Sequence, residues 1–339
     1  MIKLEKSVKN EFKDKTILVT GGTGSIGVGL VEELIKCKPR SIRIFSNDEN
    51  SIFETKRIVG NDPMFTFMVG DVRDRDRLNL AIRNVDIVFH AAAMKHVDIC
   101  EQNPFDAVKT NVVGTSNILE AALLENVSKF IFISTDKATN PTSTLGASKM
   151  LAERLTIKAS SYRGKGKTIF AIVRFGNVIG SRGSVFQIFL DQIRKGIPLT
   201  VTDKKMTRYI MSIHEAASLI LKVTHIAKDG EVFILKMPSV RIEDLAKGMI
   251  SVYGKRFPIE KKNLPPIKIS TAREGERFNE FLIAPDEISY CHDVGNMYKI
   301  SREATKKKTS IMQFSSETAT RISQEHLHKI INELLDEFS

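Results

Sequence analysis

Between Thr16 and Phe175 the chain alternates short β-branched and aromatic runs with longer segments of helical period, and this rhythm restricts it to repeated βαβ units around a parallel sheet. The runs are TILVT (Thr16 to Thr20), SIRIFS (Ser41 to Ser46), FTFMVGD (Phe65 to Asp71), DIVFHAA (Asp86 to Ala92), KFIFIS (Lys129 to Ser134) and FAIVRF (Phe170 to Phe175). Continuous apolar stretches of this kind suit strands covered by helices on both faces. Between them lie GVGLVEELIKC, NPFDAVKTNVVGTSNILEAALLEN and GASKMLAERLTIKASSY, all read as helical. The expected fold is α/β, a doubly wound parallel sheet. After Gly176 the rhythm changes to loops and helices with short strands such as EVFIL, and Val185 to Lys195 reads as helix. A smaller C-terminal cap is therefore expected, with residues 12–180 forming the main domain, 181–339 mainly the cap, and later segments returning to the larger unit.

Bulk properties narrow the classes further. A chain of 339 residues with 42% hydrophobic content can bury a full core. Cys37, Cys100 and Cys291 show neither a disulfide framework nor metal-ligand spacing, so free thiols and no metal site are expected. The charged opening MIKLEKSVKNEFKDK has no apolar signal core, and no stretch approaches the ~20 apolar residues of a membrane span. A cytoplasmic, soluble protein is the expectation. The net charge of +11 comes from 51 basic residues interleaved with 40 acidic ones, without a sustained stripe. Such dispersion argues against a nucleic-acid partner and suits a solvated surface or an anionic metabolite.

The sharpest local signal is Thr20-Gly21-Gly22-Thr23-Gly24-Ser25-Ile26-Gly27, placed directly after the first strand and opening a helix. That context is what a dinucleotide-binding turn of the Rossmann type requires. Gly21 serves the tight turn, Gly24 lets a pyrophosphate approach the backbone, and Gly27 allows close packing of helix on strand. The helix N-terminus, with Thr23, Ser25 and Ile26 beside it, offers unpaired N–H groups and about half a positive charge to the phosphates.

The spacing G-x-x-G-x-x-G resembles that of the extended short-chain dehydrogenase/reductase superfamily, and further stretches agree with it. Asp71-Val72 ends the third strand, where the superfamily contacts adenine; His90-Ala91-Ala92-Ala93 ends the fourth; Asn111 follows on the next helix; Ser134-Thr135 ends the fifth. Lys149 stands where the Lys of the superfamily's Tyr-x-x-x-Lys pair binds the nicotinamide ribose. Four residues earlier, however, stands Leu145 and not tyrosine. An ordinary alcohol dehydrogenase, which needs a phenol to take the hydroxyl proton, is thereby disfavoured.

Ser134-Thr135-Asp136-Lys137-Ala138-Thr139-Asn140-Pro141 followed by Gly146-Ala147-Ser148-Lys149 closely resembles the UDP-N-acetylglucosamine 4,6-dehydratases of polysaccharide biosynthesis, some of which carry Met in place of the Tyr. The likeness extends to Lys95-His96-Val97, Arg174 to Val185, Met206-Thr207-Arg208 and Arg273-Glu274-Gly275-Glu276, and departs from the family's Arg-Pro-Gly-Glu-Lys at Glu274 and Arg277. It implies a lyase with an internal redox cycle: hydride leaves C4 of the sugar, a base removes the C5 proton, water leaves from C6, and the hydride returns to C6. By the same resemblance Asp136 is the acid at C6, Lys137 the base at C5 after losing its charge through burial, and Thr135 a hydrogen-bond partner of the C4 oxygen. Lys95, Asn177, Val185, Arg208, Arg273 and Glu276 are expected to hold a UDP-sugar, the two arginines through its pyrophosphate. His90 and His96 are read as packing residues.

In relatives the second strand ends in Ser-Arg-Asp-Glu, whose Arg holds the 2′-phosphate of NADP, but here it reads Ser46-Asn47-Asp48-Glu49. The family implies NADP, tightly bound and regenerated in each cycle; Asn47 in place of the phosphate-binding Arg, with the acidic Asp48 beside it, makes NAD the alternative, while Arg43, Lys56, Arg57 or backbone N–H groups could still accept a 2′-phosphate. C5 inversion and self-association are further expectations from the resemblance. Two other readings stay open: a UDP-sugar 4-epimerase, which returns the hydride to C4, and a catalytically inactive NAD(P)-sensing protein.

Overall fold

The computed structural model describes residues 4–257, 264–271, 275–301 and 315–338. Helix α1 (Lys6–Phe12) leads into β1 (Thr16–Thr20), α2 (Ser25–Ile35), β2 (Ser41–Ser46), α3 (Glu49–Val59), β3 (Phe65–Val69), α4 (Arg75–Ile82) and β4 (Ile87–His90). Then come α5 (Val97–Gln102), α6 (Pro104–Val108), α7 (Gly114–Leu124), β5 (Lys129–Thr135), α8 (Thr144–Ala159) and β6 (Ile169–Phe175). The remainder supplies β7 (Asn177–Val178), α9 (Val185–Arg194), β8 (Leu199–Val201), β9 (Thr207–Met211), α10 (Ile213–Ile226), β10 (Val232–Leu235), β11 (Ser239–Arg241) and α11 (Ile242–Arg256). Last are β12 (Ile267–Ile269), β13 (Cys291–Asp293), β14 (Met297–Ile300) and α12 (Gln324–Glu337).

Nine strands form one sheet in the order β3-β2-β1-β4-β5-β6-β10-β14-β13, parallel as far as β10 and antiparallel thereafter. This is the α/β, Rossmann-like architecture expected from the βαβ rhythm. Strand β1 pairs with β2 on one side and β4 on the other, so the strand order reverses there and opens a crevice at the carboxyl ends. Every residue of β1, β4 and β10 is buried, as strands covered on both faces should be. Strand β3 is different: it lies at the sheet edge and buries none of its five residues fully, with Val69 52% exposed. Its apolar sequence signalled a strand but not which strand would be left at the edge.

The stretch expected as one helix from Asn103 to Asn126 breaks into α6, a π-turn over Lys109–Val113, and α7. Asn111 lies buried at the centre of the π-turn. Its Oδ1 accepts from Met94 N at 2.8 Å, while its Nδ2 donates to Met94 O at 3.1 Å and to Ser148 Oγ at 3.0 Å. That clamp ties the loop after β4 to α8 across the π-turn.

A second core lies beyond the large sheet. Phe186, Phe189 and Leu190 of α9 pack with Leu199 and Val201 of β8, Leu245 and Met249 of α11, and Ile331 and Leu334 of α12. Strand β12 pairs in parallel with β8, and β9 lies between β11 and β7 in a three-stranded sheet. Strand β10 and helix α10 go back to the large unit: Phe233 and Ile234, and Ala217 and Ile220, are part of the core around β1 and β4.

Candidate active site

A cleft of about 790 Å³ runs along the carboxyl ends of the strands. It is lined by Gly21, Thr23, Gly24, Ser25, Ile26 and Gly27, by Asn47, Asp48, Asp71 and Val72, and by Ala91, Ala92, Ala93 and Lys149, which are all the residues expected to meet the dinucleotide. Gly21 has φ +66°, and an added Cβ there would stand 2.6 Å from Ala92 N. At Gly27 a Cβ would lie 2.3 Å from Gly21 O, so the glycine lets α2 sit against the turn. Gly24 caps α2 without a side chain and leaves its first N–H groups open to the cleft. These features fit a bound pyrophosphate.

Asp71 and Val72 lie past the end of β3, which stops at Val69. The Asp71 carboxylate is held below the ordinary range by hydrogen bonds from Arg73, with Nε at 3.0 Å and Nη2 at 2.7 Å. Asp48 caps α3, its Oδ1 accepting from Ser51 N at 3.2 Å and its Oδ2 from Ser51 Oγ at 2.6 Å. From the opposite wall Arg182 donates Nη1 to Ser51 Oγ at 3.1 Å, while its backbone N–H donates to Ser25 Oγ at 3.0 Å and its carbonyl accepts from Lys95 Nζ at 2.7 Å. Arg182 thus straps the cleft between the starts of α2 and α3.

Lys149 is buried, donates Nζ to Ile133 O at 2.7 Å and lies 4.0 Å over the Phe132 ring. Desolvation brings its pKa down to about 7. His90 is fully buried between Thr20 Oγ1 at 2.6 Å and Thr115 Oγ1 at 3.0 Å, and burial, with the Lys149 charge, lowers its pKa to about 3. It is a neutral packing residue, as its sequence position suggested. Leu145 is 4% exposed, packs with Cys100 and Ala107, and faces the cleft one helical turn before Lys149.

A smaller cavity of about 260 Å³ adjoins the cleft on the cap side and is lined by Lys95, Asn177, Val185, Arg208 and Glu276. Arg273, the remaining expected substrate contact, lies outside the described residues. Asn177 Oδ1 is buried with no partner within the chain. The two cavities share Lys95, Asn177 and Lys137 as walls, so Lys137 stands where they meet. Burial, followed by the nearby Arg182 charge, lowers the Lys95 ammonium's pKa. Arg208 is largely occupied by the chain itself: Nη1 donates to Thr207 O at 2.8 Å and Nη2 to Arg277 O at 2.8 Å.

Thr135, Asp136 and Lys137 form the short turn that leaves β5. Thr135 Oγ1 donates to Asp136 Oδ1 at 2.8 Å, and Lys137 Nζ donates to the same oxygen at 3.0 Å. Asp136 is fully buried and its Oδ2 has no partner within the chain. Desolvation pushes its carboxyl above the ordinary range, with Lys137 opposing. One expectation fails here. Burial alone would lower the Lys137 pKa, but the Asp136 and Glu280 carboxylates more than cancel it and hold the ammonium above its ordinary value. Lys137 is therefore charged at rest, because burial arrived together with two counter-charges.

Glu280 was not anticipated from sequence. It is 2% exposed, and its Oε1 lies 3.2 Å from Lys137 Nζ and 3.6 Å from Arg208 Nε. Beneath the site Arg174 is buried between Glu153, with Nη2 to Oε2 at 2.6 Å, and Glu287, with Nη1 to Oε2 at 2.8 Å. Tyr209 packs against Gly176, and burial, helped by the Asp136 charge, raises the pKa of its unpartnered hydroxyl. Among the described residues no His, Cys, Asp and Glu cluster has metal-binding geometry, and no helix is long and apolar enough to cross a membrane.

Comparison with known proteins adds an independent line. An uncharacterized membrane protein of Methanocaldococcus jannaschii is 48% identical over 97% of this chain and 98% of its own. A UDP-glucose 4-epimerase of Rickettsia akari is 36% identical over 94% of this chain and 96% of its own. Among solved structures, that of Pen from Bacillus thuringiensis superposes with a TM-score of 0.88 at 38% identity, covering 95% of this chain and 98% of that one. The dTDP-glucose 4,6-dehydratase DesIV from Streptomyces venezuelae, solved with NAD bound, shares the fold with a TM-score of 0.69 at 21% identity, over 78% of this chain and 86% of that one. Residues 17–302 match the model of one family, so the glycine turn, the cleft and the Asp136–Lys137 pair belong to a member of the polysaccharide biosynthesis protein family.

Proposed function

We propose that this chain is a nicotinamide-dependent nucleotide-sugar 4,6-dehydratase acting on UDP-N-acetylglucosamine, with residues 181–339 mainly holding the nucleotide and residues 12–180 the cofactor. The observation that carries the reading is Lys137, which lines both cavities where they meet and is bonded at 3.0 Å to the fully buried Asp136 behind it, with an apolar Leu145 in place of a phenol. An acid beside a base is what elimination of water across C5 and C6 requires. A nicotinamide held by the glycine turn and Lys149 would supply the hydride acceptor for C4 and the hydride donor for C6. All proton movements fall to the chain. A proton passing from Lys137 Nζ to Asp136 Oδ1 along their hydrogen bond turns the resting ion pair into a neutral amine and a carboxylic acid. The C4 hydroxyl proton leaves through Thr135 Oγ1 to solvent as the hydride departs, the amine takes the C5 proton, and the acid gives its proton to the departing C6 hydroxyl; Lys137 then returns a solvent-exchanged proton to C5 and regains its own from solvent, which restores the ion pair. Burial already biases Asp136 toward its protonated form. Thr135 holds the C4 oxygen, and Lys149 the ribose of the cofactor.

For the cofactor we propose NADP. The carboxylate of Asp48 is engaged in capping α3, and Arg182 beside Ser51 supplies a cation for a 2′-phosphate that the missing strand-end Arg does not. The near full-length likeness to a protein named UDP-glucose 4-epimerase favours a second reading, in which the hydride returns to C4 and no water is lost. Incubation with UDP-N-acetylglucosamine in heavy water separates the two. The dehydratase gives a 4-keto-6-deoxy product carrying deuterium at C5, and Lys137→Ala abolishes that incorporation while still reducing bound cofactor slowly. A 4-epimer without deuterium at C5 refutes the first reading; unaltered UDP-N-acetylglucosamine refutes it too, and the second reading falls if UDP-glucose is also left unaltered.

A further inference from the structure

The buried charges around Lys137 are more numerous than a single acid–base pair needs. Its ammonium meets Asp136 from its own turn, Glu280 from the connection between β12 and β13, and the charge of Arg208 from β9. Behind Glu280 stands the Arg277 guanidinium, which donates Nη1 to Thr139 O at 2.9 Å, and Tyr209 faces Asp136 from β9. Glu280 is fixed from behind: its backbone N–H donates to Ser316 Oγ at 2.9 Å, and its carbonyl accepts from Ser316 N at 2.8 Å. The carboxylate is thus delivered to Lys137 by backbone anchoring and not by a flexible approach.

We propose that Glu280 is the positioning residue of the site: its carboxylate holds the Lys137 ammonium between itself and Asp136 and keeps it charged at rest, and so sets the pH at which Lys137 can act as a base. Two anchor points, at 3.0 Å on Asp136 and 3.2 Å on Glu280, fix the end of a four-carbon chain that would otherwise sample several rotamers. The same carboxylate opposes the proton transfer from Nζ to Asp136, because the transfer leaves it facing an amine instead of an ammonium. Burial raises the Glu280 pKa, but Lys137 and then Arg208 reverse this and bring it below the ordinary value, so the opposing charge is present in the resting site. The inference rests on Lys137 being the C5 base, but the charge state it assigns to Lys137 can be measured without turnover.

The test compares the full-length, dinucleotide-loaded protein with its Glu280→Gln and Glu280→Asp variants. Lysines are reductively methylated across a pH series, and the Lys137 peptide is quantified by mass spectrometry. In Glu280→Gln the labelling midpoint of Lys137 should fall by about one pH unit or more, as expected for loss of an adjacent buried counter-charge. That of Lys149, which has no contact with Glu280, should stay in place and so reports any general loosening. In Glu280→Asp, whose carboxylate is withdrawn by one methylene, the midpoint should fall between the two; if the Gln variant does not melt cooperatively, this variant alone decides. In turnover the acid limb of the rate profile should move down with the midpoint. A Lys137 midpoint shift below about half a unit in the decisive variant overturns the proposal. If the midpoint moves while no nucleotide sugar is consumed by any form, the fault lies with the dehydratase reading and Glu280 keeps its role.

Discussion

Replacing Gly27 by alanine isolates the contact on which the cofactor cleft depends. In an open helix interior this change stabilises by about 0.5–1 kcal/mol, since glycine gives up more backbone freedom on folding. At this position the added Cβ would stand 2.3 Å from Gly21 O and 2.6 Å from Gly22 Cα, both backbone atoms that no rotamer change can withdraw. Relief needs a displacement of α2 from the turn of roughly 1 Å, and forced overpacking of this kind costs about 1–3 kcal/mol. The net expectation is destabilisation of about 1–2 kcal/mol, together with a loss of at least about tenfold in dinucleotide affinity because the helix N-terminus moves off the pyrophosphate. Urea denaturation reads the first quantity and titration calorimetry with NADP and NAD the second. Gly254→Ala is the control: on α11 the added Cβ meets only the tip of Leu264, at 3.1 Å. If Gly27→Ala is as stable as the parent and binds dinucleotide equally well, the close-packing argument is wrong.

Leu145→Met nearly conserves volume and should keep activity within about a hundredfold, or 2.7 kcal/mol of barrier; a larger loss would mean that the side chain does more than pack. His90 binds no proton in the folded protein above about pH 3, whereas its unfolded value is near 6.5, so stability is lost as pH falls below 6.5. By pH 5.5 that loss should reach about 1.4 kcal/mol, and His90→Asn should lack this part of the pH dependence in paired denaturation curves. Arg174→Met strands Glu153 and Glu287 in the interior and should cost about 3–5 kcal/mol of unfolding free energy; a cost below 1 kcal/mol would show that both carboxylates find other partners.

Much of the frame was legible because the βαβ rhythm and the glycine turn are local signals. The strands from TILVT to FAIVRF and the helix starting at Val185 appear within a few residues of their expected limits. Most of the cleft residues were legible for the same reason: they follow closely on strand ends, and strand ends of one parallel sheet meet on one edge, whereas Lys149, inside α8, was placed by the family resemblance. What sequence could not reveal was pairing across long separations. Glu280 is one acidic residue among 40, with no periodic signal, and only the fold brings it to Lys137. The protonation of Lys137 was misjudged for that reason, since desolvation can be guessed from sequence while a second counter-charge cannot. The antiparallel pair β13 and β14 was missed too, because three- and four-residue strands carry too little pattern to stand out.

The far edge of the large sheet is built from the chain's last third, and this bears on the order in which the molecule can be made. Until β14 docks on it, β10 presents an unpaired row of backbone donors and acceptors, and Arg174 has Glu153 but not Glu287 to neutralise it. Lys137 likewise waits for Glu280. A ribosome-bound nascent chain can therefore complete the glycine turn and most of the parallel sheet early, yet carries an adhesive edge and an uncompensated interior charge until residues 280–300 have emerged. The vulnerable interval in biosynthesis lies late, and truncations ending just short of residue 280 should be recovered from cells as aggregates holding an otherwise native-like nucleotide-binding half.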